Sequence, residues 1–222
     1  MKDSGIEWIG QIPEHWEISR LKYCCEVKTG PFGTQLSAGE YVDEGVPIIN
    51  VKNIGYGAIK DDDLDQIPDS VRERLSAHIL QTGDIVFGRK GAVDKHAIIN
   101  SQHDGWVQGS DCMRVRINSA ILPDFLNFYF GAAGYGEYVV INSIGATMAS
   151  VNAEILNNSV VAFPSLEEQQ AIASYLDRKC AAIDTILDDK RRQVENMKAH
   201  RKSVIYEYVT GKKRVKEVLS CQ

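Results

Sequence analysis

Side chains able to do chemistry lie in short polar runs along this 222-residue chain, and their spacing decides which chemistries are open to them. Gly83-Asp84-Ile85-Val86-Phe87-Gly88-Arg89-Lys90 has the outline of a phosphate-binding loop. Such a loop sets Lys and then Ser or Thr directly after its second glycine, because the lysine meets the phosphates and the hydroxyl holds magnesium. Arg89 and Lys90 stand in those places, so nucleotide binding is not expected here. Gly131-Ala132-Ala133-Gly134-Tyr135-Gly136 has the wrong glycine order for a dinucleotide fingerprint and reads as a turn. His15, His78, His96, His103 and His200 form no HxH, HExxH or HxE arrangement, and no GxSxG elbow is present. Nor is there the Asn-Pro-Pro-aromatic tetrapeptide with which an adenine methyltransferase holds its flipped base. Asp188-Asp189-Lys190 imitates a nuclease carboxylate–lysine set, but it falls in a segment where a charged helix is expected. The five cysteines include no CxxC pair, which argues against a disulfide framework or a zinc knuckle and for a reducing, cytoplasmic setting.

Binding remains. Arg89 and Lys90 sit between Gly88 and Gly91 directly after an apolar run. On a glycine-flanked turn they can reach phosphates or base edges, and the glycines permit close backbone approach. Lys52-Asn53, Gln108-Gly109-Ser110, Arg114 with Arg116, and the loop ending at Thr147 are the other polar groups expected at such a surface.

The elements that must carry these groups change character near Pro164. Before it, glycines interrupt short apolar runs, and Val46–Val51, Asp84–Phe87, His96–Ile99 and Cys112–Ile117 read as strands. The last alternates, with Met113, Val115 and Ile117 on one face and Arg114 and Arg116 on the other. Ser70–Ile79 and Leu122–Ala133 read as helices, the second with Pro123 in its first turn. After Pro164, Ser165-Leu166-Glu167-Glu168 reads as a capping box in which Glu168 reaches back to the serine. No Gly or Pro follows until Gly211, so one helix of about 44 residues is predicted, about 65 Å long at ~1.5 Å per residue.

Alternating steps of three and four from Ala173 select Leu176, Cys180, Ile183, Leu187, Lys190, Val194, Met197, Arg201, Val204 and Tyr208. Only Lys190 and Arg201 are not apolar or aromatic, so a seam of period 3.5 runs through five heptads. A seam that narrow on a helix that long needs a partner helix. The two basic residues are expected to set its register. The fold class is thus α+β: a mixed α/β domain followed by a long C-terminal helix that forms an intermolecular antiparallel coiled coil. The domains expected are 1–164, the helix over 165–211, and a basic tail over 212–222.

The net charge of −5 is uneven. Residues 1–164 carry 13 Lys and Arg against 21 Asp and Glu, and residues 165–222 carry 12 against 9. An acidic body excludes a strongly basic polyanion binder. No run approaches the roughly 18 apolar residues of a membrane span, and the N-terminus reads as no signal peptide, so neither membrane insertion nor secretion is expected.

Trp8-Ile9-Gly10-Gln11-Ile12-Pro13-Glu14-His15-Trp16 followed by Arg20-Leu21-Lys22 resembles the opening of DNA-specificity subunits of type I restriction-modification systems. Gly83-Asp84-Ile85-Val86 running into Arg89-Lys90-Gly91 resembles them too, as does Pro164-Ser-Leu-Glu-Glu168-Gln169-Gln-Ala-Ile172 with Leu176-Asp177 and the closing Thr210-Gly211. The resemblance implies a target-recognition domain that binds double-stranded DNA, and a spacer helix that docks DNA methyltransferase subunits. It implies no catalysis and no cofactor in this chain. S-adenosylmethionine is expected on the methyltransferase partners, and ATP and magnesium on a restriction and translocase subunit that can join them. Family members usually carry two recognition domains and two helices, whereas one of each is found here. A homodimer of half-subunits is therefore expected. The alternatives are a small nuclease with a dimerising helix, which would cleave DNA with magnesium as the pure chain, and a protein-only coiled-coil adaptor, for which exchange of residues 1–164 would leave the methylated sequence unchanged.

Overall fold

Ile85, Val86 and Phe87 are apolar in succession, with none of the alternation of a half-exposed strand, and that pattern suits a strand covered on both faces. In the computed structural model, which describes residues 1–118, 120–145 and 149–215, they lie in the centre of a five-stranded sheet. From the N-terminus the elements are β1 (Lys2–Asp3), β2 (Gln11–Ile12), β3 (Glu17–Arg20), α1 (Leu21–Cys24), β4 (Cys25–Thr29), β5 (Val46–Ile49), β6 (Tyr56–Ala58), β7 (Asp65–Ile67), α2 (Asp69–Arg74), β8 (Ile85–Gly88) and β9 (His96–Ile98). There follow β10 (Val107–Gln108), β11 (Cys112–Ile117), α3 (Pro123–Phe130), α4 (Ala133–Asn142), α5 (Ala153–Asn158), β12 (Val160–Phe163) and α6 (Leu166–Val209).

The main sheet has the order β4-β11-β8-β9-β6, antiparallel except for the β6–β9 pair. A three-stranded sheet, β10-β5-β7, and two small pairs, β1-β2 and β12-β3, complete the framework. Alternate residues of the central strands enter different cores. Ile85 and Phe87 of β8 join Met113 and Val115 of β11 against Phe125, Leu126 and Phe130 of α3 and Tyr135 and Val139 of α4. Val86 points the other way and packs with Ile49, Ala97 and Cys112. Cys24, Cys25 and Cys112 are buried free thiols that fill space as small apolar groups, and burial pushes the Cys25 thiol up to about 12.

The strands expected from sequence are present as β5, β8, β9 and β11, the first three with shifted or shortened ends. The helix expected over Ser70–Ile79 is α2 followed by a separate 3-10 turn at Ser76–His78. The helix expected over Leu122–Ala133 stops at Phe130, and Gly131 and Ala132 turn the chain into α4. Gly134 and Gly136 therefore lie within a helix, and Trp8 occupies the space a Cβ on Gly134 would need.

Ser165 caps α6 by accepting the Glu168 N–H at 3.4 Å. The Glu168 carboxylate does not reach back as the capping box predicted. It pairs with His15 Nε2 at 2.8 Å and accepts from Trp16 Nε1 at 3.2 Å, and the His15 hydrogen bond holds its pKa below the usual carboxylate range. Gln169 and Ala173 are buried, so the compact first unit runs from Met1 to Ala173 and the second begins at Ser174. The helix ends at Val209, with Gly211 in the left-handed region at φ +74°, as its position after Thr210 predicted. Among the described residues no helix is long and apolar enough to cross a membrane.

Gly30 closes β4 with its Cα against the Gly109 carbonyl, so that a Cβ there would overlap that oxygen. Backbone lies on both sides, and neither can yield cheaply. Gly30→Ala is expected to lower the urea midpoint by the equivalent of about 2–4 kcal/mol, in the range of overpacked or strained sites. Gly39→Ala, where a Cβ meets nothing within 4 Å, should leave it unchanged. Equal stability of the two variants would refute the tight crossing.

Candidate nucleic-acid interface

β11 begins between two neighbours that end beside it: Cys112 pairs with Gly88 of β8, and Met113 with Thr29 of β4. The residues just past those ends are carried to one rim of the main sheet. Arg89 is fixed by its backbone, its N–H donating to the Asp111 carbonyl at 2.8 Å and its own carbonyl accepting from Val151 N–H at 2.9 Å. Its guanidinium lies over the ring of Phe32, with Cζ 4.6 Å from the ring centroid. No ion pair or hydrogen bond engages that guanidinium among the described residues. Among the described residues Arg89 thus has one face covered and its in-plane donors free, the state in which an arginine reads a planar acceptor pair.

The other basic candidates are tied down. Lys90 Nζ is 3.0 Å from Asp111 Oδ1, with both side chains about half exposed. Lys52, on the 3-10 turn Val51–Asn53, binds Asp63 at 3.0 Å and Asp65 at 3.1 Å. These pairs are solvent-accessible, so a phosphate can compete for either lysine. Ser110 is half-buried beside Asp111 on the same turn. Thr147 lies outside the described residues.

Three expected contact residues are placed inside the protein, where their side chains cannot reach a surface ligand. Asn53 is 1% exposed and donates to the Asp62 carbonyl at 3.1 Å. Gln108 is fully buried, its amide donating to the carbonyls of Lys28 at 3.0 Å and Cys112 at 2.9 Å. Arg114 is 3% exposed and donates to the Ala77 carbonyl at 3.3 Å and to Glu26 Oε1 at 3.2 Å. Arg116 is partly exposed but grips the buried Asp84 with both ends of its fork, at 2.7 and 2.6 Å. The alternation of β11 suggested one apolar face and one wet basic face. The segment around Ala77–Ile79 covers the second face instead, so these arginines bind its carbonyls.

Sequence reasoning passed over Phe32. Its signal was available: an aromatic residue in Gly30-Pro31-Phe32-Gly33, where Gly33 at φ +55° lets the chain turn away and leaves the ring 51% exposed.

The seam of α6 is a second surface, within the second unit. Ile183 is 54%, Leu187 44%, Val194 49% and Met197 69% exposed in the single chain, while Leu176 and Val204 are partly covered and Cys180 and Tyr208 exposed. Exposed Ile186 and Ile205 widen the stripe. Lys190 and Arg201 are exposed within it, Lys190 donating to Gln193 Oε1 at 3.3 Å. Off the seam, Asp188 pairs with Arg191, Asp189 with Arg192 and Glu195 with Lys198, each three residues apart. Those partners are what a charged helix surface provides, and they account for the nuclease-like run. No cluster of metal-ligating side chains occurs among the described residues.

Comparison with known proteins bears on both surfaces. The family model described as the type I restriction modification DNA specificity domain matches residues 13–196. The type I restriction enzyme MjaVIII specificity subunit of Methanocaldococcus jannaschii is 26% identical over 215 residues, 95% of this chain and 49% of that protein. A structure concerned with complex assembly and conformational transition of the type I R-M system superposes with a TM-score of 0.70 at 18% identity, covering 89% of this chain and 46% of the other. The HsdS subunit crystal structure from Thermoanaerobacter tengcongensis gives 0.60 at 18% identity, over 79% and 40%. At that identity the two structures bear on the fold. The chain spans about half the length of the relatives it matches.

Proposed function

Because the chain belongs to the type I restriction-modification DNA specificity family, we propose that it is the DNA-reading component of such a system, and that it carries no chemistry of its own. Residues 1–164 act as the target-recognition domain, 165–211 as a spacer and dimerisation helix, and 212–222 as a basic tail. Two copies pair through antiparallel α6 helices and present two recognition domains to a bipartite, inverted-repeat target whose non-specific spacer is set by helix length. Methyltransferase subunits carrying S-adenosylmethionine dock on this core, and a translocase and nuclease subunit using ATP and magnesium can join it.

The observation that carries the reading is the span of the family match, residues 13–196, which takes in most of the first unit together with 31 of the 44 residues of α6. The charge distribution supports the partner-dependent part. With Lys52 and Lys90 paired to carboxylates and a net charge of −5, this chain alone offers little to the phosphate backbone. It binds DNA weakly alone and tightly with partners that supply the phosphate grip, leaving Arg89 to read bases.

Mapping N6-methyladenine in the host genome with and without this gene tests the reading. A bipartite motif that vanishes with the gene is expected, and an unchanged methylome overturns it. Within the complex, Arg89→Ala should reduce methylation of that motif by about 10- to 100-fold, the worth of one bidentate base contact, and leave assembly intact. Full methylation by this variant would remove Arg89 from the reading surface.

A further inference from the structure

We propose that Phe32 is a specificity-determining residue of the recognition surface, acting as a platform that holds the Arg89 guanidinium by its face and aims its donor edge at a guanine. The inference rests on the DNA-reading role of Arg89 proposed above.

A surface arginine close to carboxylates ordinarily pairs with one of them. Asp111 is near enough to fix the backbone of Arg89, yet its carboxylate goes to Lys90, and the guanidinium rests on Phe32 instead. The difference matters for recognition. A carboxylate would consume the in-plane N–H groups that meet an acceptor pair such as guanine O6 and N7. An aromatic ring takes only the face, through the attraction of the cation to its π-electrons, and leaves every donor free. It also limits a side chain that carries about 2 kcal/mol of rotamer entropy, so part of the ordering cost is met before DNA arrives.

The platform is itself held firmly. Its N–H donates to Gln35 Oε1 at 3.2 Å, and its carbonyl accepts from the Gln35 N–H at 3.0 Å. Pro31, buried with its φ fixed by the ring, precedes it, and Gly30 packs against Gly109 on the turn that leads to Asp111. Ring and guanidinium therefore hang from the two strands that flank β11, and one sheet sets their spacing. A half-exposed phenylalanine adds nothing to the core clusters, so its placement calls for a use at the surface.

The test uses the chain assembled with its methyltransferase subunits, a duplex carrying the methylated motif mapped in the host, and the same duplex with each G·C pair of the motif changed in turn. Phe32→Ala is expected to weaken binding of the matched duplex by about 10-fold, the order of a cation–π contact. Binding of one mismatched duplex and the salt dependence should stay as in the wild type, because no phosphate contact is removed. Phe32→Tyr should restore discrimination, and Phe32→Leu, which keeps the bulk without the π-face, should behave like Phe32→Ala. Since the two side chains act as one unit, Phe32→Ala with Arg89→Ala should bind no more weakly than Arg89→Ala alone. The proposal is overturned if Phe32→Ala discriminates like the wild type, if Phe32→Leu restores discrimination, or if the two losses simply add. A wild-type complex with no preference among the duplexes would remove the DNA-reading role of Arg89, and this inference with it. Thermal unfolding of each variant separates these results from misfolding.

Discussion

Leu187→Asp should convert the protein from a dimer to a monomer at micromolar concentration, with the recognition domain still folded. Leu187 lies in the middle of the seam and is 44% exposed in the single chain. In an antiparallel pair each copy of Leu187 would be covered by the other helix, contributing about 2 kcal/mol per buried side chain. The substitution forfeits that contribution twice and places two carboxylates in an apolar seam, each costing several kcal/mol to desolvate without a partner. The dissociation constant should therefore rise by more than about 1,000-fold, since each ~1.4 kcal/mol is tenfold. Val194→Asp, about half exposed two seam positions further on, should act the same way. Light scattering should give twice the chain mass for the wild type and the chain mass for both variants, with unchanged thermal unfolding of the recognition domain. A monomeric wild type, or a Leu187→Asp dimer, would refute the paired helices.

The largest effect on stability is expected at Gln169. This side chain is fully buried, and its amide satisfies three backbone groups from two segments. Its Oε1 accepts the Leu122 N–H at 2.7 Å, and its Nε2 donates to the carbonyls of Ala120 at 2.8 Å and Pro164 at 2.9 Å. It thereby fastens the first turns of α6 to the entry of α3. Gln169→Ala removes all three bonds, of which the one to Pro164 is buried and those to Ala120 and Leu122 partly so, so the losses run from about 1 kcal/mol for a partly buried bond to about 3 kcal/mol for a buried orphan. A loss of about 3–6 kcal/mol is expected, which lowers Tm by roughly 10–15 °C at this chain length. Gln169→Glu keeps the acceptor but turns a carboxylate toward two carbonyls, and should be at least as damaging. A change in Tm below about 2 °C for Gln169→Ala would show that water or a neighbour replaces the amide.

Glu168, the neighbour of Gln169, ties two of the sequence motifs together. The segment Pro164–Ile172 was legible as a helix start, and Glu168 was read as a cap residue together with Ser165. What that glutamate binds was not legible. Glu168 holds His15 and Trp16, residues more than 150 positions earlier, so the opening and closing motifs of the first unit are two sides of one contact. Capping depends on neighbours within a turn and can be read locally. A bond between distant segments depends on how the sheet brings them together.

The same distinction separates the two candidate surfaces. The helix Leu166–Val209, its exposed apolar stripe and its glycine stop were determined by the sequence alone, because a period of 3.5 over five heptads needs no tertiary context to specify a face. The centres of β5, β8, β9 and β11 were equally plain from their apolar runs. Only the tertiary structure decided which polar residues are available at the surface. Arg89, on the turn after β8, and Arg114, within β11, were both expected at the binding surface, yet among the described residues one has its fork free over an aromatic ring and the other is buried and spent on backbone carbonyls and Glu26. Local alternation tells which way a side chain points, and not what lies there. In this protein a second layer covers the basic face of β11, and a phenylalanine more than fifty residues earlier in the chain supports the Arg89 guanidinium, which no ion pair or hydrogen bond engages among the described residues.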